Sequence, residues 1–245
     1  MHCQPGHGRL VYNWLKNNQS CLLCDEQADQ PYPLCHACET ELPWLHERCL
    51  CCALPLPIEG MLCKACVRRR PPFHQVEVPW HYGFPVDSLI SRFKHQARWP
   101  LGRLLAVLLG HWLQQRFDDG LARPDCLLPV PMGRKRLRQR GFNQAAMLAR
   151  WLGPQLKLTV DEQLILRPHE TRAQQELGAR QRQRNLLQAF TLCPRPRVQG
   201  RHFALVDDVM TTGATARALA NLLLRAGASR VDVYCLARTP KPGSS

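Results

Sequence analysis

The chain has 245 residues and a formal net charge of +14, from 33 Lys and Arg against 19 Asp and Glu. Its length accommodates one ordinary α/β domain and a small additional module. The charge favours a polyanionic partner or a phosphorylated substrate, although scattered solvated arginines would explain it equally well. The best candidate for a membrane span, Leu101 to Phe117, is interrupted by Arg103, Gly110 and His111, so the sequence predicts no membrane insertion.

Cysteine is the most informative residue type in the first part of the chain. Residues 1–18 contain no continuous apolar stretch of the kind found in signal peptides, which predicts a reducing, cytoplasmic location despite 13 cysteines. The spacing Cys-x2-Cys-x10-Cys-x2-Cys occurs twice in succession. The candidate metal ligands are Cys21, Cys24, Cys35 and Cys38 in the first copy, and Cys49, Cys52, Cys63 and Cys66 in the second.

This duplicated spacing predicts one or two structural zinc sites, because four thiolates complete a tetrahedral shell and leave no position for a substrate. A segment this short also needs a staple, since it cannot bury a sufficient core. The pairing remains open: each copy could hold one zinc, the copies could share a site, or only one site could be occupied. Cys51 is a surplus thiol, and Cys52 is preferred because it keeps the two-residue gap. The segment resembles a double zinc ribbon.

A run of arginines and prolines, Arg68 to Pro72, predicts a linker that could also contact nucleic acid. The predicted domains are therefore a zinc-ribbon module over residues 1–70 and a larger domain over residues 73–240. In the larger domain, alternating strands and helices predict the α/β class, with a parallel sheet covered by helices on both faces. The predicted strands are 76–84, 125–131, 202–206 and 230–237, and the predicted helices are 86–96, 101–117, 145–152 and 216–226.

Five cations lie within Arg134 to Arg140, directly after the predicted strand 125–131. Such a cluster at the carboxyl end of a strand is suited to binding a pyrophosphate or a nucleic-acid backbone. Lys135, Arg136 and Arg140 are the candidate ligand contacts in this cluster.

The stretch from Ala204 to Thr215 passes from an apolar run through two carboxylates into a loop of small residues and then a helix. The loop amides and the helix dipole predict an anion site at the carboxyl edge of the sheet. Asp207 and Asp208 would repel a phosphate, so they are predicted to accept hydrogen bonds from sugar hydroxyls, directly or through Mg²⁺. A Thr-capped helix with solvated aspartates is the alternative. The other candidate ligand contacts are Val209, Thr211, Thr212, Gly213, Ala214 and Thr215.

This stretch resembles the phosphoribosyl pyrophosphate (PRPP) signature of type I phosphoribosyltransferases. Pro129 to Pro131 followed by Arg140 to Gln144 is similar to the ComF/GntX branch of that superfamily. The resemblance implies a type I phosphoribosyltransferase-like fold that binds PRPP or another phosphorylated ribose with Mg²⁺. It further implies that Asp207 and Asp208 are catalytic residues holding the ribose hydroxyls, and that the protein is linked to competence, DNA uptake or the use of external DNA.

A third match to the family begins at Arg167, where the resemblance implies a mobile lid over PRPP. The segment 166–184 is polar and rich in Arg and Gln, as a lid would be, and a helix with a solvated polar face fits equally well. The candidate lid residues are Arg167, Thr171, Gln175, Arg182 and Asn185.

Two functional hypotheses follow. In the first, the protein is a PRPP-binding phosphoribosyltransferase-like protein; as an enzyme it would displace pyrophosphate from C1 of the ribose by a nitrogen nucleophile. No segment identifies the acceptor, so catalytic activity stays open. In the second, it is a non-catalytic factor with a vestigial PRPP site that binds single-stranded DNA through its arginine clusters or docks a DNA-processing protein partner.

Overall fold

A computed structural model describes residues 19–168 and 189–240 of the chain. These residues belong to two compact units, one ending at Pro43 and one beginning at Trp44. Packing thus divides the chain ahead of the predicted linker and groups the second cysteine copy with the larger unit. The domain bounds 1–70 and 73–240 remain a prediction from sequence.

The smaller unit is built around the first cysteine copy. Its helix α1, His36–Thr40, begins after Cys35, whose sulfur accepts a hydrogen bond from the Cys38 amide. Tyr32 donates a hydrogen bond to Glu39 over 2.8 Å. The unit's buried apolar side chains other than cysteine are Ala28, Tyr32, Leu34 and Leu42. This core is small, as expected for a module that needs a metal staple.

The larger unit is an α/β domain with a six-stranded sheet in which every pairing is parallel. In chain order its elements are α2 Lys64–Arg68, β1 Val76–Glu77, β2 Trp80–His81, α3 Val86–Gln96, α4 Trp99–Asp118, β3 Cys126–Pro129, α5 Arg134–Arg140, α6 Gln144–Leu156, β4 Thr159–Val160, β5 Ile165–Leu166, β6 Thr191–Leu192, β7 His202–Met210, α7 Ala214–Arg225 and β8 Arg230–Arg238. The strand order in the sheet is β1-β8-β7-β3-β4, and β2 also pairs with β8. Two further strands, β5 and β6, form a separate antiparallel pair.

Helices cover both faces of this sheet, as predicted. Alternate residues of a strand point to opposite faces. Phe203 and Leu205 join one hydrophobic cluster with Leu219 of α7. The opposite face packs on α4 and α6, with Tyr234 of β8 lying 6.5 Å from Phe117 of α4, centroid to centroid. Both central strands, β7 and β8, are therefore buried on both sides, which explains their continuous apolar character.

Several elements differ from the predicted bounds. The predicted strand 76–84 is two short strands separated by Val78 and Pro79. The cations of the basic cluster form a helix of their own, α5, which ends at Gly141 with a φ of 83°. Strand β7 continues through both aspartates to Met210, so the loop after it is shorter than predicted and α7 begins at Ala214.

The second cysteine copy packs into the core of the larger unit. Cys49, Cys52 and Cys66 are buried in the same hydrophobic cluster as α7. Nearby, Arg48 donates to the Val78 carbonyl over 2.5 Å and to Glu77 over 3.2 Å. This ribbon is therefore part of the domain rather than an appendage to it.

Glu77 is buried on β1 and accepts hydrogen bonds from two arginines, Arg48 at 3.2 Å and Arg116 at 3.3 Å. At the amino ends of the central strands, buried Asp232 lies 2.9 Å from His202 Nε2 and 3.0 Å from Arg230 Nη2. Both carboxylates balance cations that would otherwise be desolvated without a partner.

Substituting Glu77→Gln should destabilise the larger unit by about 3 kcal/mol, because it leaves the buried Arg48 charge uncompensated. Thermal unfolding should show a melting temperature lower by roughly 6–12 °C. The control is Glu162→Gln, which breaks the exposed ion pair with Arg150 and should cost less than about 1 kcal/mol. Equal losses in the two variants would contradict this account.

Candidate functional site

The candidate site lies where the strand order reverses. The chain leaves β3 through α6 toward β4 on one side, whereas β7 lies on the other side of β3 and continues into α7 on the opposite face. The carboxyl ends of β3 and β7 therefore diverge into a crevice, which is where open α/β sheets bind ligands. The pairing of Pro129 with Val206 brings the basic helix α5 and the Thr-rich loop to the same edge.

The two aspartates are adjacent on β7 and so point to opposite faces. Asp208 is buried and forms an ion pair with Lys94 of α3, with 2.7 Å between Nζ and Oδ2. Its Oδ1 accepts a hydrogen bond from the Val209 amide over 2.7 Å. Asp207 instead lines a cavity with the Thr-rich loop. The predicted pair is thus split into one neutralised carboxylate and one that faces the crevice.

Burial raises the pKa of Asp207, and the neighbouring Asp208 carboxylate raises it further, to about 8. Cys235 is the register partner of Asp207 on β8. Burial also raises the pKa of the Cys235 thiol well above its ordinary value, so this thiol stays neutral. A cation or a hydrogen-bond donor arriving at Asp207 would favour its charged form.

The loop after β7 is short and closely packed. Gly213 has a φ of 72°, a conformation that strains any residue with a side chain, and a Cβ there would lie 2.5 Å from Met210 Cε, so the flexible end of the methionine would have to move. The Thr212 hydroxyl accepts from the Ala214 amide over 3.4 Å as α7 begins. A cavity of about 60 Å³ is lined by Val130, Asp207, Val209, Met210, Thr211, Thr212, Gly213, Ala214, Thr215, Ala216, Val233 and Cys235. The predicted contacts from β7 to Thr215, apart from Asp208, thus share one cavity.

Four of the five cations of the basic helix α5 are exposed, and Arg140 is half-buried. Lys135 lines an open cavity of about 450 Å³ together with Arg134, Arg138 and Gln139, whereas Arg136 and Arg140 do not line it. Downstream, the Asn143 side chain donates to the Val130 carbonyl over 3.1 Å and caps α6 by accepting from the Ala145 amide. This bond anchors the end of the basic segment to Val130, which follows β3 and also lines the Asp207 cavity.

Of the candidate lid, the structure describes the base. Leu166 pairs with Thr191 in the antiparallel pair β5–β6, and Arg167 lies over the Phe190 ring at 5.3 Å. The other predicted lid residues, Thr171, Gln175, Arg182 and Asn185, lie outside the described residues.

The cysteines form two four-sulfur clusters, one from each copy of the motif. Within each, all sulfurs lie within 4.8 Å of one another. The sulfur atoms of Cys24 and Cys35 are 3.7 Å apart, and those of Cys52 and Cys63 are also 3.7 Å apart. Tetrahedral zinc with Zn–S bonds of about 2.3 Å requires sulfurs about 3.8 Å apart, so both clusters fit structural zinc. Cys51 takes no part in the cluster, and its sulfur faces the His74 carbonyl at 3.6 Å.

Backbone amides favour the thiolate form at one sulfur of each cluster. Burial opposes ionisation of Cys21 and Cys49, but amide hydrogen bonds outweigh it and lower the pKa of each thiol to about 7. The Cys63 amide, for example, donates to the Cys49 sulfur over 3.2 Å. A thiolate is the form that binds zinc, so these amides favour the metal-binding form at one cysteine of each cluster, whereas burial raises the pKa of Cys38, Cys52 and Cys66.

Sequence reasoning missed two residues of this region. Lys94 is distant in sequence from Asp208, and its place at the end of an amphipathic helix indicated only a surface position. Arg238 ends β8 and is buried against the loop that follows β7, although the sequence showed only a cation at the end of an apolar strand. Neither lies in a recognisable motif, so only the fold reveals them.

Comparison with known proteins places these features in context. Residues 14–67 match the double zinc ribbon domain model. A DNA utilization protein YhgH from Shigella flexneri is 37% identical over 208 residues, covering 84% of this chain and 90% of that protein. Competence protein F from Haemophilus influenzae is 30% identical, covering 97% of this chain and 96% of that protein.

Solved structures with partial likeness include two phosphoribosyltransferases. A purine phosphoribosyltransferase from Pyrococcus horikoshii is 18% identical, covers 55% of this chain and 70% of that chain, and has a TM-score of 0.34. An adenine phosphoribosyltransferase from Leishmania tarentolae is 15% identical, covers 54% of this chain and 70% of that chain, and has a TM-score of 0.35.

The fold and the clusters define a zinc-ribbon protein with a parallel α/β domain. With relatives of this identity along nearly their whole length, the chain belongs to the ComF/GntX family, which includes the competence protein F and YhgH proteins. No helix among the described residues is long and apolar enough to cross a membrane.

Purified protein should contain two zinc ions per chain, and replacing Cys35 and Cys38 with serine should reduce this to one. The smaller unit should then lose its structure, since zinc contributes about 10–16 kcal/mol in zinc-finger peptides. Metal analysis and limited proteolysis measure the two effects. Unchanged zinc content in the variant would show that the first cluster binds no metal.

The raised pKa of Asp207 predicts a pH-dependent penalty on folding. Between its ordinary value of 3.8 and about 8, the folded protein holds a proton that the unfolded chain releases, so this group makes stability fall as pH rises. Asp207→Asn removes the penalty. The difference in melting temperature between the variant and the wild type should therefore grow from pH 5 to pH 9 in unliganded protein. A difference that does not vary with pH would contradict the assignment.

Proposed function

We propose that the protein binds PRPP or another phosphorylated ribose, with Mg²⁺, at the carboxyl ends of β3 and β7. The observation that carries this proposal is the shared cavity, in which Asp207 and the Thr211–Thr215 segment line one small space at the topological switch point. A carboxylate and a set of loop amides suit the two ends of a ribose phosphate. We also propose that the protein acts in the cytoplasm.

Each part of the site would contribute one kind of contact. The amides and hydroxyls of Thr211 to Thr215 would hold the 5'-phosphate, with the positive end of α7 behind them. Asp207 would accept hydrogen bonds from the ribose hydroxyls. Asp208 would act indirectly. Its ion pair with Lys94 lowers the negative charge that an incoming phosphate meets.

The pyrophosphate would be held by α5, with Lys135, Arg136 and Arg140 as the candidate contacts. Mg²⁺ commonly binds through one or two carboxylates together with substrate phosphates, and Asp207 beside a bound phosphate offers such a set. When bound, the ion would neutralise charge on the departing pyrophosphate. The lid residues Arg167, Thr171, Gln175, Arg182 and Asn185 would close over the ligand.

As an enzyme, the protein would be a phosphoribosyltransferase in which a nitrogen nucleophile replaces pyrophosphate at C1 of the ribose. Catalysis would come from positioning and from charge stabilisation by Asp207, Asp208 and the basic helix. The acceptor is not defined by any described residue.

A second candidate function is contact with single-stranded DNA, and a specific surface favours it. Four cations of α5 are exposed, and half-buried Phe142 follows that helix, with its ring 6.0 Å from that of half-exposed Trp99. Cations that hold phosphates next to aromatic rings that stack bases are the usual components of single-strand binding. The names of the relatives, DNA utilization protein and competence protein, point in the same direction. A DNA-processing protein would then be a natural partner.

Calorimetric titration with PRPP and Mg²⁺ tests the first proposal. Wild-type protein should bind, and Asp207→Asn should weaken binding at least about 10-fold, since it removes a charge-assisted hydrogen bond worth roughly 1.5–3 kcal/mol. The matched control is Asp118→Asn, on the exposed end of α4, which should bind as the wild type does. Equal affinity in wild type and Asp207→Asn would refute the site.

Measuring the affinity for single-stranded DNA across a salt series tests the second candidate function. Replacing Arg134 and Arg138 with glutamine should weaken binding and reduce the slope of log affinity against log salt by about 1–2. A control that removes the same charge elsewhere, Lys157→Gln with Arg225→Gln at two exposed positions, should leave the slope close to that of the wild type. No binding by wild-type protein at low salt would exclude direct contact with DNA.

A further inference from the structure

The buried guanidinium of Arg238 connects two regions that the sequence treats separately. Arg238 ends strand β8 and is 5% exposed. Its Nε donates to the Cys52 carbonyl over 3.1 Å. Its Nη1 donates to the carbonyls of Met210 and Thr239, each over 2.9 Å, and to that of Thr211. One side chain thus joins the second cysteine cluster to the first residue of the loop after β7.

Both ends of this connection belong to functional elements. Cys52 supplies a sulfur to the second cluster, so its backbone lies one side chain away from the metal position. Thr211 begins the loop whose residues line the Asp207 cavity. The register pairing of Met210 with Arg238 holds the guanidinium at the level of that loop.

We propose that Arg238 is a positioning residue through which zinc in the second cluster maintains the shape of the phosphate-binding loop. The inference rests on the proposed function for the identity of the ligand, whereas the coupling itself is a property of the unliganded fold. The coupling is proposed for the second cluster alone, because the ribbon carbonyl that Arg238 contacts is that of Cys52 and the first cluster belongs to the other compact unit.

The chemistry of the guanidinium makes the connection stiff. Its planar fork presents several donors in fixed directions, and here they meet backbone carbonyls rather than flexible side chains. When zinc holds Cys52, all these acceptors stay in place together. If the second ribbon loosens, the Cys52 carbonyl withdraws and a buried charged donor is left unsatisfied, so Arg238 must shift and the carbonyls of Met210 and Thr211 must follow.

Arginine is required at this position for geometric reasons. A lysine would keep the positive charge, but its single ammonium group cannot reach the ribbon carbonyl and the loop carbonyls in the same arrangement. Arg238→Lys in zinc-loaded protein should therefore reproduce the effect of losing the second zinc, while both metal ions remain bound.

Amide hydrogen exchange of residues 211–215, followed by mass spectrometry on the full chain, measures the coupling without any ligand. Arg238→Lys should accelerate exchange in this segment about 10-fold, as should Cys66→Ser, which disrupts the second cluster. Cys38→Ser, which disrupts the first cluster, should leave the exchange of this segment unchanged. Arg230→Lys, at the amino end of the same strand, is the matched control for Arg238→Lys and should also leave it unchanged.

The affinity for PRPP with Mg²⁺ measures the effect of the coupling on the proposed site. The Arg238→Lys variant should bind PRPP about 10-fold more weakly than wild-type protein. If wild-type protein binds no PRPP, the proposed function fails, but the exchange experiment still decides the coupling. Wild-type exchange in Arg238→Lys would overturn the inference, even if Cys66→Ser unfolds. So would equal acceleration in Cys38→Ser and Cys66→Ser.

Discussion

Parallel pairing of β7 with β3 and β8 is the constraint on which the rest of the larger unit depends. It aligns the carboxyl ends of three strands at one edge. One neighbour then leads into the basic helix, the other ends at Arg238, and β7 itself ends in the Thr-rich loop. Because the chain turns to opposite faces after β3 and β7, the backbone leaves a crevice between them. The site is thus a consequence of topology before any side chain is considered.

Side chains then decide what the crevice can hold. Alternation along β7 separates the two aspartates, and Lys94 pairs with one of them, so a single carboxylate faces the loop cavity. This arrangement limits the repulsion that two unpaired carboxylates would exert on a phosphate. Desolvation in this half-buried position and the neighbouring Asp208 carboxylate raise the pKa of Asp207, which marks it as a group whose charged form a cation or donor of a ligand would favour.

The sequence was sufficient to predict the fold class, the alternation of elements and the eight cysteines of the two clusters. Those features depend on local spacing: the period of α3 predicted its bounds, Val86–Gln96, and the repeated motif identified the cysteines but left open which of them share a cluster. The roles of Lys94 and Arg238 could not be predicted, because their partners are distant in sequence. Nor could spacing show that the second ribbon is buried against the sheet, since its few apolar residues look like those of an exposed module.

Burial of that ribbon gives its four sulfurs different surroundings from those of the first copy. The first cluster belongs to a small unit of its own, whereas the second lies in the core of the larger unit. The two copies are alike in spacing but differ in their surroundings, and membership of the ComF/GntX family is compatible with both roles. The ligand proposed for the crevice is PRPP with Mg²⁺.

Binding of PRPP at the crevice is tested most directly by mapping backbone amide chemical shifts as PRPP and Mg²⁺ are added to the isotope-labelled protein. We predict that the largest changes occur at the amides of 207–215, with smaller changes in 134–140. Changes confined to other parts of the chain, or no change at saturating PRPP, would contradict the account.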